Sequence, residues 1–179
     1  MSREGIALGD AAPDLALPDT EGQTTALPEE GEAGATVVVW TCNHCPYALA
    51  WHERITAVAR DYAPRGVRFV AVNSNDAERY PADSPEAMAE RYDAWEWGMP
   101  YLHDETQEVA LAFGARATPD VFVFDSGLRL RYRGAPDEDH RDPSQDAAWL
   151  RAALDAVLDE EEPELAETKP AGCSIKWKD

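Results

Sequence analysis

The stretch 37-VVVWTCNHCPYALAWHERI-55 joins an apolar run to a Cys-x-x-Cys pair and then to a segment with helical spacing. Residues 35–41, "ATVVVWT", form a largely β-branched run of the kind that sheets bury on both faces. From Pro46 onward, Leu49, Ile55 and Val58, with alanines between them, follow a helical period, and "YAPRG" closes it with a Pro and a Gly. "VRFVAVNSND" comes next as a second buried strand ending in a polar loop. Strand, helix and strand within roughly forty residues make a βαβ unit, so the two strands are expected to run parallel.

Around this unit the remaining elements can be read in turn. Residues 1–34 are rich in Pro, Gly and acids, and "LPDTEGQTTALPE" places a turn between two short apolar pieces, a small N-terminal β-hairpin. "SPEAMAERYDAWEWG" is an inserted helix with Ser84 as N-cap, Pro85 at the first helical position and Gly98 near its end. "MPYLHDET" reads as a short strand, and "QEVALAFGA" as a short helix closed by Gly114. "DVFVFDSGLRLRYRGAP" is two strands joined at "DSG". "SQDAAWLRAALDAVLDEEE" is an amphipathic helix with Ala148, Leu150, Ala153, Leu154, Val157 and Leu158 on one side. The fold class is therefore α/β, a mixed central sheet flanked by helices on both faces. Residues 1–163 are expected to form the domain and 164–179 a tail that Ile175 and Trp177 dock.

The chain has 179 residues, 44 % of them hydrophobic, which suffices for a real core. Asp and Glu number 35 against 16 Lys and Arg, a formal charge of -19. Such a surface either docks a basic partner or is haloadapted, and the dispersed acids and scarce lysines favour the second. It would repel a phosphate backbone, so no nucleic-acid partner is expected. No run approaches the ~20 apolar residues of a membrane span, and the acidic N-terminus is unlike a secretory signal. A cytoplasmic protein with no membrane partner is the expectation. In a reducing compartment three cysteines are not a disulfide framework, and a close pair is catalytic or metal-binding.

A thiol at a strand-to-helix junction meets unpaired N–H groups and the positive end of the helix dipole. Cys42 is accordingly expected to have a lowered pKa and to act as nucleophile, with Cys45 one turn on to resolve the mixed disulfide. His44 beside the pair would, as an imidazolium, favour the thiolate and the reduced form. Zinc would need more ligands, for which Cys173 and one histidine are available; copper would pair the two cysteines with His103 or His140. Cys173 is either a further redox thiol or a silent tail cysteine packed with Ile175 and Trp177. Trp40 and Trp51 are expected in the core and Tyr47 on the site's rim. His52 and Glu53 are expected on the surface, and the arginines of "RLRYRG" in surface ion pairs.

"WTCNHCPY" after a buried strand, with "ATPDVFVFD" about seventy residues later, resembles the thioredoxin superfamily. The leading hairpin and inserted helix are similar to its peroxiredoxin-like redoxin branch, related to alkyl hydroperoxide reductase and thiol-specific antioxidant. "GCSIKWK" is similar to a peroxiredoxin-like subgroup bearing "NHCPY". The resemblance spans roughly residues 6–160 and implies a thioredoxin-like fold with a cis Pro119 facing the cysteines. It implies that Thr118 offers its backbone to a substrate peptide and that Asn43 and His44 stand in place of the usual Gly-Pro.

The implied activity is thiol-disulfide oxidoreduction of protein substrates through Cys42 and Cys45, with a recycling reductant as second partner. No cofactor or metal is needed, because the cysteines carry the electrons. Two alternatives stand beside it: a thiol peroxidase acting on hydroperoxides, and a copper chaperone using the same thiols. Three departures from the family pattern accompany it. Asn43-His44 replaces Gly-Pro, and Thr36 occupies the place of the strand acid six residues before the first cysteine. Neither Cys42 nor Cys45 has a Ser or Thr three residues before it, since Val39 and Cys42 stand there.

Overall fold

The computed structural model describes residues 5–179. Its N-terminal part holds β1 (Ala16–Pro18) and β2 (Thr24–Ala26), an antiparallel pair whose turn is set by Asp19, which accepts N–H bonds from Glu21 and Gln23. β3 (Ala35–Trp40) is buried at every position. α1 (Pro46–Tyr62) follows, and β4 (Val67–Asn73) returns parallel to β3 with Ala35 opposite Val67. Gly66 makes this return possible, adopting the left-handed conformation (φ 83°) at the end of the turn after α1.

α2 (Pro85–Trp95) is capped by the Ser84 side chain, which accepts the Ala87 N–H. β5 (Tyr101–His103) lies parallel to β4. α3 (Glu108–Phe113) ends at Gly114, and β6 (Ala117–Thr118) leads through Pro119 into β7 (Asp120–Asp125). β7 runs antiparallel to β3, and β8 (Leu130–Gly134) antiparallel to β7. α4 (Ala148–Leu158) and a tail with β9 (Cys173–Ser174) complete the chain.

The main sheet has the order β5-β4-β3-β7-β8, so the cysteine-bearing strand is its centre. Alternation along the strands sends residues to two separate cores. Val37, Val39, Val121 and Val123 meet α1 and α4 through Trp51, Ile55, Val58, Leu150 and Leu154. Val38, Trp40, Val72 and Phe122 meet α3 and the tail through Ala110, Phe113 and Ile175. Helices therefore cover both faces. Each fully buried Val, Leu or Phe contributes roughly 1.5–3 kcal/mol, so both layers hold the central strand rigidly.

Two expectations from sequence are corrected here. The last helix begins only at Ala148, because Ala147 is left-handed (φ 62°) and its N–H is bound by the Asp137 carboxylate instead. Arg133 of the "RLRYRG" segment is buried rather than at the surface, donating to the carbonyls of Ile6 and Gly114 and lying over the Phe122 ring, with the exposed Glu167 carboxylate 4.0 Å from its Nε. Arg131 does pair at the surface, with Asp125 at 2.7 Å.

Candidate active site

The cysteines sit where β3 ends. Thr41 still donates to Val72 O, so the loop departs from a fixed ladder, and α1 starts at Pro46. The cap position is therefore held by Cys45, not Cys42. The expectation that the first thiol stands at the helix N-terminus is corrected: Cys42 lies three residues earlier, in the loop. From the other side comes the segment before β7, where Trp40 faces Asp120 across the sheet. Its Thr118–Pro119 bond is cis, the conformation the resemblance implies.

Both thiols meet Thr118. Cys42 Sγ lies 3.4 Å from Thr118 Oγ1, and Cys45 Sγ donates to Thr118 O at 3.2 Å. Both are free, Cys42 being 3 % exposed and Cys45 fully buried. They pack together in one buried cluster, and their mutual contact dominates their acidity. The Cys42 thiol holds Cys45 down to about 4, aided by Cys173, the Ala48 N–H and Thr118 and opposed by burial. Cys42 is pushed up by the same contact, then by burial, with the Asp83 carboxylate adding to the rise. The expectation of a lowered Cys42 is thereby corrected. Two groups this close titrate as a pair. One negative charge is available to the two sulfurs, and the second proton is retained.

Asp83 went unnoticed in the sequence. It ends a short turn (Pro81–Asp83) ahead of α2, is fully buried, and reaches under the cysteine loop. Its Oδ1 accepts the Asn43 N–H at 2.7 Å and Asn73 Nδ2 at 3.1 Å. Its Oδ2 accepts Asn75 Nδ2 at 3.0 Å and lies 2.6 Å from His44 Nδ1. The His44 ring stacks on Tyr80, and Asn43 is clamped further by the Tyr101 hydroxyl and the Ala82 carbonyl. Burial holds the Tyr101 hydroxyl well above its ordinary pKa, so it stays a hydrogen-bond donor.

The parallel partner strand supplies the rest of this cradle, since Asn73 ends β4 directly beside the end of β3. One signal in the sequence points there. Polar loops leaving neighbouring parallel strands emerge at the same sheet edge, so "NSND" had to lie beside "TCNHC".

Cys42, His44 and Asp83 bring three possible metal-ligand atoms within 4.8 Å of one another. Thiolate, imidazole and carboxylate suit a zinc or copper ion. His103 and His140, the histidines weighed for copper, lie elsewhere: His103 ends β5 opposite Asn73, and His140 lies against Tyr47 and Trp51. His52, expected at the surface, is packed between Trp95 and Trp97 and lowered to about 4 by burial, then by the charge of Arg91. Trp40 and Trp51 are in the cores, while Tyr47 is partly buried against His140.

The likeness to known proteins follows this geometry. An uncharacterized conserved protein from Geobacillus kaustophilus superposes with a TM-score of 0.89 at 44% identity, covering 96% of this chain and 93% of that one. A thiol:disulfide interchange protein of the thioredoxin family from Chlorobium tepidum TLS shares the fold at 18% identity, with a TM-score of 0.66 over 86% of this chain and 99% of that one. Thiol-disulfide oxidoreductase ResA of Geobacillus thermodenitrificans (strain NG80-2) is 25% identical over 131 residues, 72% of this chain and 70% of that protein. The family model of AhpC/TSA matches residues 8–133, through the hairpin, the cysteine loop and the sheet. With that match across most of its length, the chain belongs to the AhpC/TSA family and carries a thioredoxin-like fold.

Proposed function

We propose that the protein is a thiol-disulfide oxidoreductase whose working pair is Cys42 and Cys45. The observation that carries this reading is the pair itself: two free thiols in mutual contact with a single shared charge, held against Thr118. Exposure assigns the roles. Cys42 is the sulfur with a path to solvent, so it meets the substrate, taking the pair's one negative charge as the retained proton passes to Cys45, whose Sγ then donates a hydrogen bond to Thr118 O.

The Cys42 thiolate attacks one sulfur of a substrate disulfide, forming a mixed disulfide and releasing the other as a thiolate. Cys45 then loses its proton and attacks Cys42; the Cys42–Cys45 bond forms and the second substrate sulfur leaves. Two electrons and one proton pass from the pair to the substrate, whose remaining thiolate takes its proton from solvent, and a recycling dithiol restores the pair. Asn43, His44, Thr118 and Pro119 shape the site in this reading, with Asp83 positioning the first two. The substrates are protein disulfides in a reducing compartment, for which the cytoplasm is our assignment.

A second reading has its own observation. A peroxidatic cysteine needs a nearby hydroxyl, and Thr118 Oγ1 brings one to Cys42 from across the sheet. Cys42 would then attack a peroxide oxygen and become a sulfenic acid while water or an alcohol leaves; Cys45 would condense with it, releasing water and forming the disulfide.

The deciding experiment equilibrates the protein in graded glutathione buffers, traps free thiols and reads the masses. A reversible two-electron couple, lost in Cys42→Ser, is expected. Thiols that stay unpaired across the whole range would overturn the reading. Peroxide consumption by the same samples at a rate above the disulfide exchange would favour the peroxidase.

A further inference from the structure

The third cysteine lies on the pair despite its distance along the chain. β9 pairs antiparallel with β6 and places Cys173 opposite Thr118. The carbonyl of Thr118 is the one that receives Cys45 Sγ. The Cys173 side chain packs on the Cys42, Cys45 and Ala48 cluster, and Cys173 and Cys45 each shift the other's acidity.

The placement of the tail is built into its sequence. At Gly172 a Cβ would come within 2.2 Å of Thr118 O and 3.2 Å of Pro119 N, so only glycine lets the backbone approach this closely. Ile175 donates its N–H to Arg116 O and buries its side chain under the sheet. Lys176 N–H binds Asn75 Oδ1, and Lys176 O accepts from Asp76 N and Gln107 Nε2. An extended segment adding itself to a strand edge is how sheets take up peptides. Here the chain's own tail occupies that edge and brings a sulfur with it.

We propose that Cys173 is a third redox thiol, and that the disulfide of the oxidised protein exchanges between Cys42–Cys45 and Cys45–Cys173. The proposal rests on the reading of Cys42 and Cys45 as a redox pair. Cys173 gives up its proton and its sulfur attacks the Cys45 sulfur. The Cys45–Cys173 bond forms, the Cys42–Cys45 bond breaks, and Cys42 leaves as a thiolate that takes up a proton. No electrons enter or leave. The exchange frees Cys42 within an oxidised protein, so that it can engage a further sulfur substrate.

The test oxidises dilute protein in a glutathione buffer, blocks remaining thiols with an alkylating agent, confirms monomeric mass and maps tryptic peptides. A Cys45–Cys173 bond links two peptides, whereas Cys42–Cys45 lies within one. Wild-type protein is expected to show the cross-link as a measurable fraction, Cys42→Ser to raise it several-fold, and Cys173→Ser to abolish it while keeping the Cys42–Cys45 couple. Gly172→Ala in the Cys42→Ser background is expected to lower the yield several-fold by lifting the tail. Absence of the cross-link in wild-type protein, or free Cys45 and Cys173 in oxidised Cys42→Ser with an unchanged circular-dichroism melt, overturns the proposal. Loss of the couple in Cys173→Ser would instead sink the underlying pair.

Discussion

Two buried carboxylates, Asp83 under the cysteine loop and Asp137 against α1, are treated differently by the fold. Asp137 accepts from Trp51 Nε1, from the N–H groups of Asp139 and Ala147, and from the Arg54 guanidinium at 3.0 Å. Arg54 also donates to the carbonyls of Asp139, His140 and Asp142, so this charge is balanced by a partner and the loop before α4 is tied to α1. Asp83 has no guanidinium or ammonium against it among its described partners: it is held by amides and by His44. Its field reaches Cys42 and raises it. A buried charge matched by an arginine serves stability, whereas one balanced by dipoles leaves a residual field for the neighbouring chemistry.

Asp137→Ala should show the largest effect, because it strands Arg54 in the interior. A loss of about 3–5 kcal/mol is expected from urea unfolding, with the reduction potential of surviving folded protein unchanged. A shifted potential would erase the distinction drawn between the two acids.

On the Asp83 side, acidity resides in the contact between the thiols. With Cys45 held near 4, the reduced protein carries a thiolate across the neutral range, and its alkylation rate should stay nearly level down to about pH 5. Removing the Cys42 thiol takes away the first cause of that lowering. In Cys42→Ser the onset of alkylation should rise by at least about two pH units, roughly 2.7 kcal/mol. Identical profiles would show that the helix cap alone sets the acidity.

Asp83→Asn removes the charge but keeps most of the hydrogen-bonding atoms. The Cys42 thiolate becomes easier to form, which stabilises the reduced pair, so the potential should move in the oxidising direction by roughly 30 mV, a tenfold change in the exchange constant. The stability change should be smaller than for Asp137→Ala. A large unfolding effect with a fixed potential would make Asp83 purely structural.

The smallest effect is expected at His52, away from both acids. Its folded pKa of about 4 lies below the ordinary value, so between about pH 6.5 and 4 the unfolded chain binds more protons. Stability is complete above this window and is lost as the pH falls through it, by about 1 kcal/mol once solvent screening is allowed for. His52→Gln should flatten that slope in melts taken at a series of pH values.

The central strand, the βαβ unit, the hairpin at "DSG" and the Ser84 cap were all legible because each is local: period, capping and turn chemistry act over a few residues. Cys42 and Cys45 were legible through spacing, and Thr118 and Pro119 through resemblance. Asp83 was not, because "YPADSP" reads only as a turn, and nothing within it reports that forty residues earlier a loop ends at the same sheet edge. The acidity of the two thiols was misassigned for a related reason. The helix boundary at Pro46 and the contact between the sulfurs are distances, which spacing alone does not contain.

By itself the sequence determined that a buried strand delivers two thiols to the start of a helix, within an α/β chain carrying a strongly acidic charge. Those features follow from periodicity, side-chain volume and charge, all written locally. Only the tertiary structure decided that Asp83 lies under the cysteine loop, that His52 packs between tryptophans and that Cys173 rests on Cys45. Contacts across 40 to 130 residues depend on which sheet edge each loop leaves from, and that is set by packing on both faces of β3.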